Sequence, residues 1–308
     1  MRKPRALVEG DRIAIVAPAS PFDRGEFERG VEEIRRLGFL PVYDESVFAR
    51  RSYVAGPPDV RAAAFQAAWD DPAIAGVIAA RGGYGSAQIL PLLDAHALRL
   101  SAKCFIGYSD LTALLTFLTL TCGVVAFHGP MLEKRLANGE AGYDRDSFRR
   151  AVCRAAPMGE IASATLEALR PGDATGVLLG GTLTQILASL GTPYAFAPPP
   201  GYVLFIEEVG ERPYRLDRMV TQLKLAGILG KIKGFIFGSC SECGPGDGNY
   251  GALTLEEILK DHVKPLGVPA WQGAMIGHAQ PQWTLPEGAQ VEIDAAAATI
   301  RLLESPVA

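Results

Sequence analysis

Hydrophobic positions along this chain alternate between short unbroken runs and spacings of three and four, and each change of period marks a strand giving way to a helix. Asp11 to Ser20, DRIAIVAPAS, reads as a buried strand ending in a loop of small residues. A helix from about Arg24 to Leu37 follows, with Phe27, Val31, Ile34 and Leu37 on one face, and Gly38 suits its end. Phe39 to Val42 is the next strand. This βαβ pattern predicts a parallel sheet with right-handed crossovers. Asp59 is expected to cap a helix running to Trp69 or Asp70. The apolar strand Ile74 to Ala80 then ends at Arg81-Gly82-Gly83-Tyr84-Gly85-Ser86, and a helix is expected from Ser86 to Leu93.

Lys103 to Leu115, KCFIGYSDLTALL, carries the sharpest change of period. Cys104-Phe105-Ile106 is a buried run, whereas Leu111, Leu114 and Leu115 recur at helical spacing. The chain therefore turns from strand to helix at Ser109, which puts a hydroxyl on a tight turn with helix N–H groups beside it. Val124 to Phe127 is a further strand, ending at His128. The polar, weakly patterned segment 138–171 holds one helix, Asp144 to Ala155, and the domain boundary. Beyond it come the strand Ala174 to Leu179, closed by Gly180-Gly181, and a helix from Thr182 to Leu190. The strand Tyr202 to Ile206 carries Glu207-Glu208 at its end, and a helix from Tyr214 to Ile228 follows. The strand Ile232 to Phe237, a helix from Leu253 to Val263 capped by Thr254, and a hairpin built from 289–294 and 298–303 complete the chain.

The expected fold is α/β. Residues 1–160 form a parallel-sheet, Rossmann- or flavodoxin-like domain, residues 172–308 a mixed α/β domain, and the site lies in the cleft between them. With 308 residues and 48% hydrophobic content there is ample core for both. The net charge of −4 comes without basic tracts, which argues against nucleic acid and anionic membrane as partners. No apolar run has the length of a membrane span or the form of a signal peptide, so a cytoplasmic protein is expected. Five cysteines, an odd number, argue for reduced thiols. Cys240-Ser-Glu-Cys243 reads as a turn after a strand, because no second Cys-x-x-Cys or paired histidine motif completes a zinc site.

Taken alone, Gly107-Tyr108-Ser109-Asp110 is a weak nucleophile signal. Leu111 stands where the GxSxG elbow has its second glycine, and a serine there also serves as an N-cap. Of four histidines, His96 and His262 lie in helical stretches and read as structural or solvent-facing. His128 and His278 both sit at strand ends among small residues, and either could act as a base. Glu207 and Glu208 alternate on a strand, so only one can face the site. The Gly82-Gly83 turn offers backbone N–H groups but lacks the spacing of GxGxxG or of a P-loop.

Several segments resemble those of the LD-carboxypeptidases, the serine-peptidase family that also contains the microcin C immunity proteins. They are GDRIAIVAPAS, RGGYGS, IGYSDLTAL, FHGP, LLGGTLT, FIEEVGERPYRLDRMVTQL and IGHAQPQWTLPEG, running in order over residues 10–288. The resemblance implies a triad of Ser109, Glu207 and His278. It implies oxyanion donors at the backbone N–H of Asp110 and of Gly83 or Gly82, no metal or organic cofactor, and a homodimer. The implied substrate is a cytoplasmic murein tetrapeptide, cut before its terminal D-alanine. Arg81 and Arg215 are candidates for binding the terminal carboxylate, although each also suits a structural ion pair, the stronger reading. Thr182 departs from the asparagine expected after the double glycine.

Two other readings compete. An immunity-type hydrolase of a peptidyl-nucleotide amide keeps the triad and calls for an aromatic platform, for which Trp271 and Trp283 are candidates that also read as packing. A non-catalytic protein holding a small anion in the cleft needs only the Gly-rich loop. A dinucleotide enzyme is disfavoured by the loop spacing.

Overall fold

The protein's structure, a computed structural model, describes residues 1–162, 167–244, 253–297 and 299–308. The described strands are β1 (Arg12–Val16), β2 (Leu40–Val42), β3 (Ile74–Ala79), β4 (Cys104–Gly107), β5 (Ala126–His128), β6 (Gly159–Ala162) and β7 (Glu167–Arg170). They continue with β8 (Asp173–Thr182), β9 (Tyr202–Val209), β10 (Ile232–Ser241), β11 (Ala270–Gln272), β12 (Leu285–Glu287), β13 (Gln290–Asp294) and β14 (Thr299–Leu302).

The first sheet has the order β12-β5-β4-β3-β1-β2. Strands β1 to β5 are parallel and give the flavodoxin-like order 2-1-3-4-5, with the switch point between β1 and β3. Every residue of β3 and β4 is buried, as a sheet covered on both faces requires. The second sheet, β6-β14-β13-β8-β9-β10-β11-β7, is parallel through β8, β9, β10 and β11 and antiparallel elsewhere. The α/β class and the parallel N-terminal sheet agree with expectation. Strands β6, β7, β11 and β12 were not expected, and β12 leaves the C-terminal half to pair antiparallel with β5, Leu285 opposite His128.

Local details differ in instructive ways. The helix Arg24–Arg36 is capped by Asp23, whose carboxylate accepts from Glu26 N. Asp59 does not cap the helix Pro58–Asp70. It lies in the first turn, where Pro58 fixes the helical start and Pro57 holds the cap position. The expected helix after the glycine loop is a 3₁₀ segment, Ser86–Leu92, in which Pro91 has no N–H to continue an α-helix. Strands β8 and β9 run further than predicted, through Gly180-Gly181 and Glu207-Glu208. The hairpin β13–β14 forms as expected; Ala298 of its second segment lies outside the described residues.

Five reduced thiols are not what the structure holds. Strand β10 extends to Ser241, and Glu242, at φ 60°, turns the chain back. That brings Cys243 to a Cα–Cα distance of 5.5 Å from Cys240, and the two are disulfide-bonded. Cys104, Cys122 and Cys153 are free.

Candidate active site

The switch point and the carboxyl ends of β3 and β4 place three loops side by side. Ser109 opens the turn after β4 in a left-handed conformation, φ 61°, which non-glycine residues rarely adopt. A 3₁₀ turn, Ser109–Leu111, runs directly into the α-helix Thr112–Thr116, so the change of period at the serine is a real junction. Gly82 packs on it: a Cβ added there would lie 3.1 Å from Ser109 Cβ and 3.3 Å from both Ser109 Oγ and Asp110 N. Gly83, at φ 95°, turns away, and its Cβ would fall 2.5 Å from Ser20 Oγ. The two glycines thus have different jobs, close approach at Gly82 and chain reversal at Gly83.

Asp110 ties the loops together. Its Oδ2 accepts from Ser86 N at 2.8 Å, and Ser86 Oγ donates to its carbonyl at 2.6 Å. Burial pushes this carboxyl upward, against the hydrogen bonds from Ser86. Its side chain is therefore occupied in bracing the glycine loop, which leaves the backbone as its contribution to the site.

Strand alternation sends Glu207 and Glu208 to opposite faces. Both are buried, so the alternative of two solvated carboxylates is excluded. Glu208 accepts from Thr184 N at 2.8 Å and Thr184 Oγ1 at 2.7 Å, securing the helix Leu183–Ser189. Glu207 Oε2 accepts from His278 Nδ1 at 2.7 Å and from His278 N at 3.2 Å, while Thr182 Oγ1 donates to its Oε1. Burial raises this carboxyl, but the bonds from His278 and Thr182 and the nearby imidazoles outweigh it, leaving the group below the ordinary glutamate range. An ionised Glu207 fixes the proton of His278 on Nδ1 and leaves Nε2 as the basic atom. Gly277, at φ 65°, is obligatory here, because a Cβ would strike the Glu207 carboxylate. Ser239 and Ser241 hydroxyls donate to the Ile276 and His278 carbonyls, both at 3.3 Å, and hold this loop to the end of β10.

The imidazole meets the serine turn through Tyr108, whose ring packs edge-on at 5.1 Å from that of His278. Among the described residues no hydrogen bond joins Ser109 Oγ to His278; the Glu207–His278 link is the one that is made. His128, the other candidate base, is fully buried behind Tyr108, its ring 5.1 Å from Phe205. Burial lowers it to about 4, so it stays neutral and has no route to a ligand. His96 is exposed on a helix and His262 pairs with Asp217 at 2.6 Å, as anticipated.

Arg81 pairs with Glu133 at 2.9 Å and donates to the Pro21 carbonyl at 2.7 Å. Arg215 lies 3.5 Å from Glu211 and 3.3 Å from Tyr214 Oη. Both make the structural pairs that the sequence reading favoured. Trp271 and Trp283 are buried and offer no stacking platform. Among the described residues no cluster of three or more His, Cys, Asp or Glu is placed to hold a metal ion, and no helix is long and apolar enough to cross a membrane.

Two α/β sheets, with a serine turn at the carboxyl end of β4 in one and a buried carboxylate–imidazole pair at the end of β9 in the other, make a two-module α/β architecture. Family models for the LD-carboxypeptidase N-terminal and C-terminal domains match residues 13–129 and 175–293, and the chain belongs to the LD-carboxypeptidase family. It is 33% identical to the "Probable murein peptide carboxypeptidase" of Bacillus subtilis, over 96% of this chain and 93% of that one. The "Murein tetrapeptide carboxypeptidase" of Pseudomonas aeruginosa is 29% identical, over 90% and 91%. The fold also matches that of the microcin C7 self-immunity protein MccF, known from Escherichia coli, in complex with aspartyl sulfamoyl adenosine, with a TM-score of 0.90, 24% identity and full coverage of both chains.

Sequence reasoning singled out Ser109, Glu207 and His278, of which the structure hydrogen-bonds Glu207 to His278, but missed Thr182, Thr112 and Tyr108 as their neighbours. The signal for Thr182 is strand register, since β8 and β9 pair with Thr182 beside Glu207. That pairing can be found only once both strands are known to extend past their glycines and glutamates.

Proposed function

We propose that this protein is a serine LD-carboxypeptidase that removes the terminal D-alanine from murein tetrapeptides during peptidoglycan recycling. The observation that carries the reading is the buried, ionised Glu207 holding His278 against the turn that presents Ser109. In the proposed reaction His278 Nε2 takes the proton of Ser109 as the hydroxyl attacks the peptide carbonyl, and Glu207 stabilises the imidazolium that results. The Ser109–His278 contact closes in the substrate complex, as catalytic hydrogen bonds of this kind often do. Asp110 N–H and an N–H of the Gly82-Gly83 turn receive the oxyanion; losing one such donor typically costs about 3 kcal/mol in the barrier. His278 then protonates the leaving D-alanine, and water resolves the acyl-enzyme.

The substrate class is supported by the relatives named for murein peptides. The reading includes a cytoplasmic homodimer, which cell fractionation and sedimentation would check. Purified enzyme is expected to release D-alanine from a murein tetrapeptide and to leave an aminoacyl-sulfamoyl adenylate intact. The reverse preference would move the protein to the immunity-type hydrolases, whose fold it shares at a TM-score of 0.90. Turnover of neither, with retained binding of a small anion, would make it a non-catalytic binding protein.

A further inference from the structure

The candidate nucleophile and the acid–base pair belong to different sheets, and one chain of hydrogen bonds joins them through the interior. Strand β8 places Thr182 beside Glu207 in parallel register. Thr182 Oγ1 donates to Glu207 Oε1, the oxygen that His278 does not use. In the other direction Thr182 N donates to Thr112 Oγ1 at 3.1 Å. Thr112 begins the α-helix that continues from the Ser109 turn. Both threonines are buried, at 4% and 1% exposure, so neither is positioned as a solvent-facing polar residue.

The approach is close by construction. Gly181, at φ 132°, lies against Thr112, and a Cβ there would fall 2.5 Å from Thr112 Cγ2 and 2.6 Å from its Oγ1. The glycine therefore lets the serine helix and β8 come near enough for the Thr112–Thr182 bond. Glu207 is wholly buried, and a buried carboxylate requires donors on both oxygens to remain charged. Among the described residues, the donor to Oε1 is Thr182.

We propose that Thr182 and Thr112 are positioning residues: Thr182 keeps Glu207 ionised with Oε2 turned to His278, and Thr112 sets that pair at a fixed distance from the Ser109 turn. The proposal rests on the reading of Ser109, Glu207 and His278 as the catalytic set. It gives a role to a residue, Thr182, at which the chain departs from the family's expected asparagine.

The test uses isosteric and conservative variants of the full-length protein, with two readouts. The first needs no turnover. The hydrogen-bonded Nδ1–H of His278 gives a downfield proton resonance, assigned by its loss in His278→Ala, that disappears on acidification as Glu207 takes a proton. In Thr182→Val the pH of disappearance is expected to rise, because a donor to the charged form is gone; in Thr182→Ser it is expected to return to that of the wild type. The second readout is D-alanine release. Thr182→Val should lose about 10- to 100-fold in kcat, the range for a hydrogen bond to a charged group, with KM little changed. Thr112→Val should lower kcat without moving the resonance, and Thr112→Ser should restore it. Should Thr182→Val fail to fold, Thr182→Cys, a poor donor of similar size, replaces it.

An unmoved resonance in Thr182→Val, a wild-type kcat in either valine variant, or failure of the serine variants to rescue would overturn the proposal. Ser109→Ala assayed alongside separates the two claims. Full activity in Ser109→Ala sinks the proposed reaction, whereas inactive Ser109→Ala with an unmoved Thr182→Val resonance sinks only the positioning role.

Discussion

Glu207 receives both the backbone N–H and the ring Nδ1–H of His278, at 3.2 and 2.7 Å, through the single oxygen Oε2. One carboxylate oxygen therefore fixes the position of the loop and the orientation of the imidazole together. Glu207→Gln keeps the shape but turns an acceptor into an amide that can present its NH₂ to Nδ1, favouring the wrong tautomer. A loss of about 10⁴ in kcat is expected, with little change in KM. Wild-type turnover by this variant, measured as D-alanine release, would rule out the orienting role.

Ser109→Ala and His278→Ala are each expected to remove about five orders of magnitude or more in kcat, and the double variant little beyond either alone, because in the proposed reaction the two act as one unit. Additive losses in a double-variant cycle would mean that the residues act independently. A serine-directed phosphonate should label the wild type at Ser109 and leave Ser109→Ala unmodified by mass spectrometry.

Gly82→Ala separates activity from stability. The new methyl would sit 3.3 Å from Ser109 Oγ and from Asp110 N, in the space where the proposed oxyanion would form. A fall in kcat of about 100-fold, the scale of one lost oxyanion donor, is expected, with only a small change in the urea midpoint. Gly83→Ala should behave in the opposite sense. Its φ of 95° and the contact with Ser20 Oγ make the substitution strained, so the urea midpoint should fall first.

The contrast between these residues also marks how far the sequence can be read. The junction at Ser109 was legible because a change of period is local, and the different faces of Glu207 and Glu208 were legible because alternation is local. His128 and His278 look alike in the sequence, each at the end of an apolar run. They are told apart by burial: His128 lies fully inside with Phe205 packed on it from elsewhere in the chain, whereas His278 stays partly exposed and is held by Glu207. Strand β12 went unseen because Leu285-Pro286-Glu287 is short, contains a proline, and takes its strand character from pairing with β5 far away in sequence. Thr182 was noticed only as a departure; its contact with Glu207 depends on a register between two strands. In these three cases what remained hidden was a long-range pairing, whereas the Cys240–Cys243 disulfide spans only three residues and went unseen because it depends on the chain reversal at Glu242.

His128 Nδ1 and Glu287 Oε1 lie 3.9 Å apart, and neither side chain has a hydrogen-bond partner among the described residues. Burial disfavours the charged form of each, lowering His128 to about 4 and raising Glu287 well above 4.5. The signs oppose each other. A histidine with a lowered pKa gives stability that is present above its unfolded value of 6.5 and is lost as pH falls toward about 4, amounting to about 3 kcal/mol. A glutamate with a raised pKa gives stability that is present below about 4.5 and is lost as pH rises toward its folded value. Glu207 and His278 also act on His128, the first raising it and the second lowering it, by less than burial does. Between about pH 4.5 and 6.5 the His128 and Glu287 contributions oppose each other in the wild type, and each single variant exposes the other. Relative to wild type, His128→Gln should gain stability on acidification below 6.5. Glu287→Gln should gain it as pH rises above 4.5, at up to about 1.4 kcal/mol per pH unit. Urea unfolding of all three proteins at pH 5, 6, 7 and 8 measures both slopes, and parallel curves would mean that neither group is held neutral in the fold.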